Sequence, residues 1–230
     1  MLLLAVDTTT RFGSVAVVRG GEVLAEVNYV SPSSHSRQVF RAMDEVIRVA
    51  GLKFNDLEGL AVAAGPGSFT GIRIGLSLMK ALALASNLPL AGVSALDALA
   101  LKLLLPGVEV MAPMIDARKG EVFAAAYRPE GRAMKEVVPA GAYRPSDFLA
   151  RLPSDRAMAF IGTGAELYRS LVEDRLGARA VFSNRSFHLA AEVGLIGEKI
   201  LAGGQRLSPA DLQPIYYRPS QAEEKKTGRE

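Results

Sequence analysis

Leu2-Leu3-Leu4-Ala5-Val6-Asp7-Thr8-Thr9-Thr10 at the start of the chain and Val110-Met111-Ala112-Pro113-Met114-Ile115-Asp116-Ala117-Arg118 near its middle decide the fold, because the same series of elements follows each. Each begins as an apolar run of strand length and ends in an acidic turn. After the first, residues 14–18 and 22–29 read as further short strands rich in Val, Leu and Ala, and Gly20-Gly21 between them signals a tight hairpin. After the second, residues 121–127 and 132–138 read the same way. Three meandering strands open both halves.

Alternating helices and strands complete each half. Beyond the Ser/Pro stretch 31–34, Val39, Met43, Val46 and Ala50 recur at helical spacing, Arg37, Arg41, Glu45 and Arg48 take another side, and Gly51 stands where the helix should stop. Residues 59–63 then read as a buried strand, 70–86 as a helix and 89–93 as a strand, and Ser94 with Asp97 gives a capping-box signal for a helix to about residue 104. In the second half Ser146 is expected to cap a short helix, followed by strand 157–161, helix 165–176, strand 179–182 and helix 186–202. This order predicts an α/β protein with mixed sheets flanked by helices. Two such halves meeting at Leu105-Pro106-Gly107 predict a duplicated actin-like fold with a cleft between its lobes, the first over residues 1–105, the second over 106–220, and a polar tail over 221–230.

Composition narrows the function classes. The chain has 230 residues, 49% hydrophobic and 22% charged, which excludes a disordered or fibrous protein. With 27 Lys and Arg against 24 Asp and Glu, the net charge of +3 is too small and too scattered to predict nucleic-acid binding by charge alone. The absence of cysteine excludes a disulfide framework, a thiolate nucleophile and a cysteine-ligated zinc site, and fits a reducing compartment. No basic segment precedes the apolar residues 1–6, and the apolar stretch 72–85 is interrupted by Arg73 and Lys80 and falls short of the roughly 20 residues a membrane span needs. The expectation is a cytoplasmic protein without a membrane partner.

Several motifs admit two readings. In a duplicated fold of this kind the turns carrying Asp7-Thr8 and Asp116 face the cleft, where paired carboxylates suit a magnesium ion and a phosphate. The alternative is that both are ordinary turn formers bonded to their own backbone. Gly65, Gly67, Ser68, Thr70 and Arg73 lie between a strand and a helix, a place suited to anions, although no Lys completes a Walker loop. The glycines serve equally well for a sharp turn and close helix packing. Gly162 and Gly164, flanking Thr163, lie where the superfamily holds adenosine, or simply make a tight turn. The only two histidines, His35 and His188, are far apart and lack the spacing of a helical metal pair, so neither a metal site nor a catalytic base is assigned.

The helix over 70–86 is apolar on two sides, with Ile72, Leu76, Met79 and Ala83 on one and Ile74, Leu78, Ala81 and Ala85 on the other. An outer helix of an α/β layer needs one buried stripe, so the second calls for cover by a partner or by the helix over 94–104.

The runs Leu4-Ala5-Val6-Asp7-Thr8-Thr9, His35-Ser36-Arg37, Gly65-Pro66-Gly67-Ser68-Phe69-Thr70-Gly71-Ile72-Arg73-Ile74-Gly75, Asp116-Ala117-Arg118-Lys119-Gly120-Glu121-Val122 and Pro214-Ile215-Tyr216-Tyr217-Arg218 resemble, in order and over nearly the whole chain, those of the TsaB family, also called YeaZ. The resemblance implies a scaffold subunit for threonylcarbamoylation of adenosine at tRNA position 37, working with the catalytic paralogue TsaD and the ATPase TsaE. The paralogue's His-x3-His metal pair falls here on Ala95 and Leu99, which cannot ligate, so the resemblance implies no metal and no required cofactor in this chain. It also implies docking on TsaD by first-lobe helices, for which Ile72, Leu76, Met79 and Ala83 with Val39, Met43 and Val46 are the expected contact stripe. A homodimer of the chain alone, tRNA contact by way of the complex and weak magnesium-nucleotide binding complete the expectations. The rival is a stand-alone actin-like ATPase or small-molecule kinase built on Asp7, Asp116 and the Gly162–Gly164 turn.

Overall fold

The computed structural model describes residues 1–31, 35–104, 107–131, 133–205 and 208–218. The expected break at residues 105 and 106, the start of a strand at residue 132 and the polar tail 221–230 lie outside the described residues, as do residues 32–34 of the Ser/Pro stretch.

In the first half β1 (Leu2–Asp7), β2 (Phe12–Arg19), β3 (Glu22–Val30), β4 (Gly59–Gly65) and β5 (Leu90–Ser94) form one sheet in the order β3-β2-β1-β4-β5. In the second half β6 (Val110–Arg118), β7 (Glu121–Glu130), β8 (Ala133–Tyr143), β9 (Met158–Ile161) and β10 (Ala180–Phe182) form another in the order β10-β9-β6-β7-β8. The first three strands of each half pair antiparallel, and the fourth and fifth add in parallel on the other side of the first. The repeat is thus one of topology as well as of element order.

Period-two alternation divides the core. Leu2, Leu4 and Val6 of β1 and Leu60 and Val62 of β4 face one side, where they meet α1 (Ser36–Val49) and α2 (Phe69–Ser86). Leu3, Ala5, Ala61 and Ala63 face the other side, in a core shared with Met111, Ile115, Phe123 and Ala125 of the second sheet. Between the two sheets lie α3 (Ala95–Lys102) and α7 (Ala190–Ala202), joined by a buried Lys102–Glu192 ion pair of 3.1 Å. The helices α4 (Pro145–Arg151), α5 (Thr163–Leu167) and α6 (Arg169–Leu176) cover the outer face of the second sheet around Phe148, Phe160 and Val172. Five layers result, with helices outside, between and outside the sheets.

Three local expectations are corrected. Ser146 does not cap α4: Arg144 precedes the helix and Pro145 occupies its first turn, where its missing N–H costs nothing. The helix expected over 165–176 is two helices, interrupted at Tyr168, whose backbone leaves the helical region. The last helix begins at Ala190 rather than 186, because Ser14 of β2 accepts hydrogen bonds from the Leu189 and Ala190 N–H groups at 3.1 and 2.9 Å. A first-sheet residue therefore caps a helix of the second half, and α7 packs on β1, β2, β4 and β5.

Candidate functional site

A cleft of about 800 Å³ opens where the two halves meet, lined by Thr9, Thr10 and Arg11 after β1, Ser68, Phe69 and Arg73 at the start of α2, Asp116 and Arg118 at the end of β6, Thr163 and Arg218. The two aspartate turns occupy equivalent places in their sheets, yet only one aspartate lines the cleft. Asp7 is fully buried, and its Oδ1 accepts from the Thr9 N–H at 2.8 Å and the Thr9 hydroxyl at 2.7 Å. Its Oδ2 has no partner, and burial raises its pKa to about 6. Asp116 stays partly open, its side chain 17% exposed; Oδ1 accepts from the Arg118 N–H at 2.8 Å, and Oδ2 lies 3.3 Å from the Arg118 guanidinium.

The glycine-rich run is a joint between α2 and the turn after β1. A Cβ on Gly67 or Gly71 would overlap the Thr9 or Thr8 carbonyl oxygen, so only glycine allows this approach. Ser68 N–H donates to the Thr9 carbonyl at 2.6 Å, Thr8 Oγ1 donates to the Gly71 carbonyl at 2.7 Å, and the Ser68 side chain caps α2 by accepting from the Gly71 N–H. Two of the N–H groups at this helix start, those of Ser68 and Gly71, are thereby in use. Thr70 is exposed on the first turn of α2 outside the cleft lining. Gly65 abuts the Ile215 carbonyl, and Gly162, with φ +108°, lies against the Met114 carbonyl. Gly164 likewise packs on β6 and β7, while Thr163 between them accepts from the Asp116 N–H at 3.1 Å. With Asp7 sealed off and Asp116 tied to Arg118, the carboxylate pair expected to hold magnesium does not face the cleft together.

The segment 214–218 spans the two halves. Ile215 N–H donates to the Ala64 carbonyl at 2.7 Å, the Tyr216 ring lies 4.4 Å from that of Phe69 and its hydroxyl accepts from Arg73 Nε, and Tyr217 meets Phe123. Arg218 then donates to Glu121 at 2.8 Å and to the Ala117 carbonyl at 3.0 Å, at the β6–β7 turn. Sequence reasoning assigned these residues no role, because they belong to no periodic element. Their aromatic density ahead of a polar tail was the available signal.

His35 and His188 remain separate. The first is buried with Nδ1 3.3 Å from the Tyr29 hydroxyl, and the second precedes α7 with Nδ1 3.1 Å from the Gly13 carbonyl rather than lying within a helix. Burial lowers the pKa of both. Among the described residues no three His, Asp or Glu side chains are placed to share a metal ion.

The expected contact stripe is core. Val39, Met43, Val46, Ile72, Leu76, Met79 and Ala83 are at most 6% exposed, packed between α1, α2 and the first sheet. Of the two apolar stripes on α2 the sheet takes the bulkier, which buries more apolar surface. The other faces outward, with Ile74 and Leu78 half-buried, Ala81 and Ala85 exposed and neighbouring Leu84 70% exposed. Beside it Phe40, Met43, Ile47, Phe54 and Leu82 line a shallow groove of about 360 Å³ between α1 and α2, with Phe40 55% exposed. Length and composition would let α2 cross a membrane, but its Ile72–Ala83 stripe is spent on the sheet.

Comparison with known proteins agrees with this architecture. Residues 23–220 match the family model described as TsaD, tRNA N6-adenosine threonylcarbamoyltransferase. Relatives named for that transferase align over only 96–113 residues, 28–33% of their own length. The tRNA threonylcarbamoyladenosine biosynthesis protein TsaB of Bacillus subtilis is 31% identical, with 98% of this chain and 97% of that protein covered. The solved structure of YeaZ from Pseudomonas aeruginosa superposes with a TM-score of 0.79 at 26% identity, covering 94% of this chain and 99% of that one. The (R)-2-hydroxyglutaryl-CoA dehydratase component A of Acidaminococcus fermentans, at TM-score 0.55 and 13% identity over 88% of this chain and 99% of that one, shares the actin-like fold alone. Because the full-length likeness is to TsaB proteins and the likeness to the transferases is partial, this chain belongs to the TsaB family of tRNA threonylcarbamoyladenosine biosynthesis proteins.

Proposed function

We infer that the chain is a non-catalytic docking subunit that holds a TsaD-type threonylcarbamoyltransferase in a competent arrangement for modifying tRNA, with bond making left to the partner. The observation that carries this reading is the outward apolar face of α2, Ile74, Leu78, Ala81 and Leu84, beside the α1–α2 groove at Phe40. An apolar stripe next to a groove is what a helical partner covers, and truncating or charging its centre breaks such a contact. The docking residues are thus those opposite the buried stripe, on the same two helices. In the absence of TsaD the same face pairs two copies of the chain, and the ATPase TsaE joins through the assembled complex. The chain itself requires no nucleotide or metal: Asp7 is buried away from the cleft and Asp116 is paired with Arg118.

Co-purification with the TsaD-type transferase tests the reading. The wild-type chain should hold the transferase, and the Ala81→Glu/Leu84→Glu variant should lose at least tenfold in affinity while keeping its thermal midpoint, because both residues are exposed. Undiminished binding would remove the α2 face from the interface. The cleft volume of about 800 Å³ favours one second reading, a small-molecule kinase or ATPase. Tight calorimetric binding of magnesium ATP together with turnover by the purified chain would establish it instead.

A further inference from the structure

The basic rim of the cleft shares no residue with the α1–α2 groove or with the outward apolar face of α2. Arg11 and Arg73 border it from the first half, and Arg118 and Arg218 from the second. Among the described residues one carboxylate, Asp116, lines it and pairs with Arg118, so four guanidiniums face one carboxylate and the lining keeps a positive excess. Thr9, Thr10, Ser68 and Thr163 add hydroxyls.

The turn that presents Arg118 is unusual. Arg118 and Lys119 adopt φ values of +63° and +52°, a left-handed conformation that side chains with a Cβ resist and that hairpin turns normally give to Asn or Gly. Two successive bulky cations are held there, and the Arg118 side chain, 85% exposed, carries positive charge to the cleft mouth against local preference. Across the mouth the Arg11 guanidinium sits over the Phe12 ring, 4.8 Å from its centroid, which limits its motion.

We propose that this rim binds the phosphodiester backbone of RNA, so that the chain contacts tRNA directly. The inference rests on the function proposed above for the identity of the RNA, and on the cleft alone for the chemistry. Exposed guanidiniums on two separate turns, those of Arg11 and Arg118, suit an extended chain of phosphates better than one compact polyphosphate. The grip is electrostatic and carries no base readout.

Fluorescence anisotropy of a labelled, unmodified tRNA transcript, titrated with the full chain and with its complex with the transferase, tests the proposal between 50 and 200 mM salt. Binding by wild type should weaken steeply with salt. Arg11→Glu/Arg118→Glu should weaken it at least tenfold and reduce the log–log salt slope by about 2, one for each phosphate left without its guanidinium. Arg175→Glu, an exposed charge on α6, should stay within twofold. Arg118→Lys should retain most binding, since a phosphate accepts any point charge, and Arg118→Gly, which relieves the turn, should fold at least as well yet bind less. No tRNA binding by chain or complex overturns the proposal, as does equal loss in Arg175→Glu or undiminished binding by the double variant. Binding of ATP or tripolyphosphate without tRNA binding also overturns it. Co-purification of each variant with the transferase separates the two readings: retained docking with weakened RNA binding supports this one, and a wild-type chain that fails to dock breaks only the docking assignment.

Discussion

The turns after β1 and β6 sit at the same point of two sheets with the same strand order, yet one is sealed and the other is open. After β1, Thr8 and Thr9 are clamped by the start of α2, and Asp7 beneath them is fully buried with one oxygen unpartnered. After β6, Asp116 reaches the cleft and the chain turns through two exposed basic residues in the left-handed region. Duplication set the positions equal, and packing made them different. What distinguishes them is how tightly a glycine-bearing helix closes on the turn: a Cβ on Gly71 would overlap the Thr8 carbonyl oxygen, whereas one on Gly164 would lie 2.9 Å from a Val122 methyl group.

The largest effect should come from opening the sealed turn. Gly71→Val would drive a side chain into the Thr8 carbonyl, a backbone atom that cannot move aside, and should cost about 3 kcal/mol or more of stability in denaturant titration. Gly164→Ala, at the second sheet, should cost less, because its Cβ would meet a Val122 methyl group at 2.9 Å and the Ile115 and Asp116 backbone at 3.0 and 3.1 Å, against an outright overlap with the Thr8 carbonyl oxygen at Gly71. Similar losses at both would erase the contrast.

Next in size is the buried acid. With a pKa raised from 3.8 to about 6, Asp7 favours the folded state when protonated, so its contribution is fully present below pH 4 and is lost as pH rises through 6. At about 1.4 kcal/mol per pKa unit, that loss is about 3 kcal/mol. Asp7→Asn should flatten the corresponding part of the stability profile between pH 4 and 7 relative to that of the wild type. Denaturant midpoints at four pH values would show whether the two profiles diverge.

The smallest effect sharpens the open side. Lys119→Gly should stabilise the protein by about 1 kcal/mol, because glycine occupies the left-handed region without the Cβ clash. An unchanged thermal midpoint would show that the turn carries no strain.

The sequence carried the element order, the alternation of β1 and β4 and the duplicated topology, since each is written in spacings of two to four residues that the local backbone obeys. It also carried the family, through a long glycine-rich run whose physical purpose is now visible as the joint with Thr8 and Thr9. It did not carry the choice between the two stripes of α2, because both repeat at helical spacing and periodicity reports amphipathicity without saying what lies opposite. Nor could it show that Ser14 caps a helix 176 residues away, that Asp7 is sealed, or that residues 214–218 bind the halves together. Those outcomes depend on long-range contacts between surfaces that local propensity leaves equivalent, and only the folded arrangement of the two sheets distinguishes them.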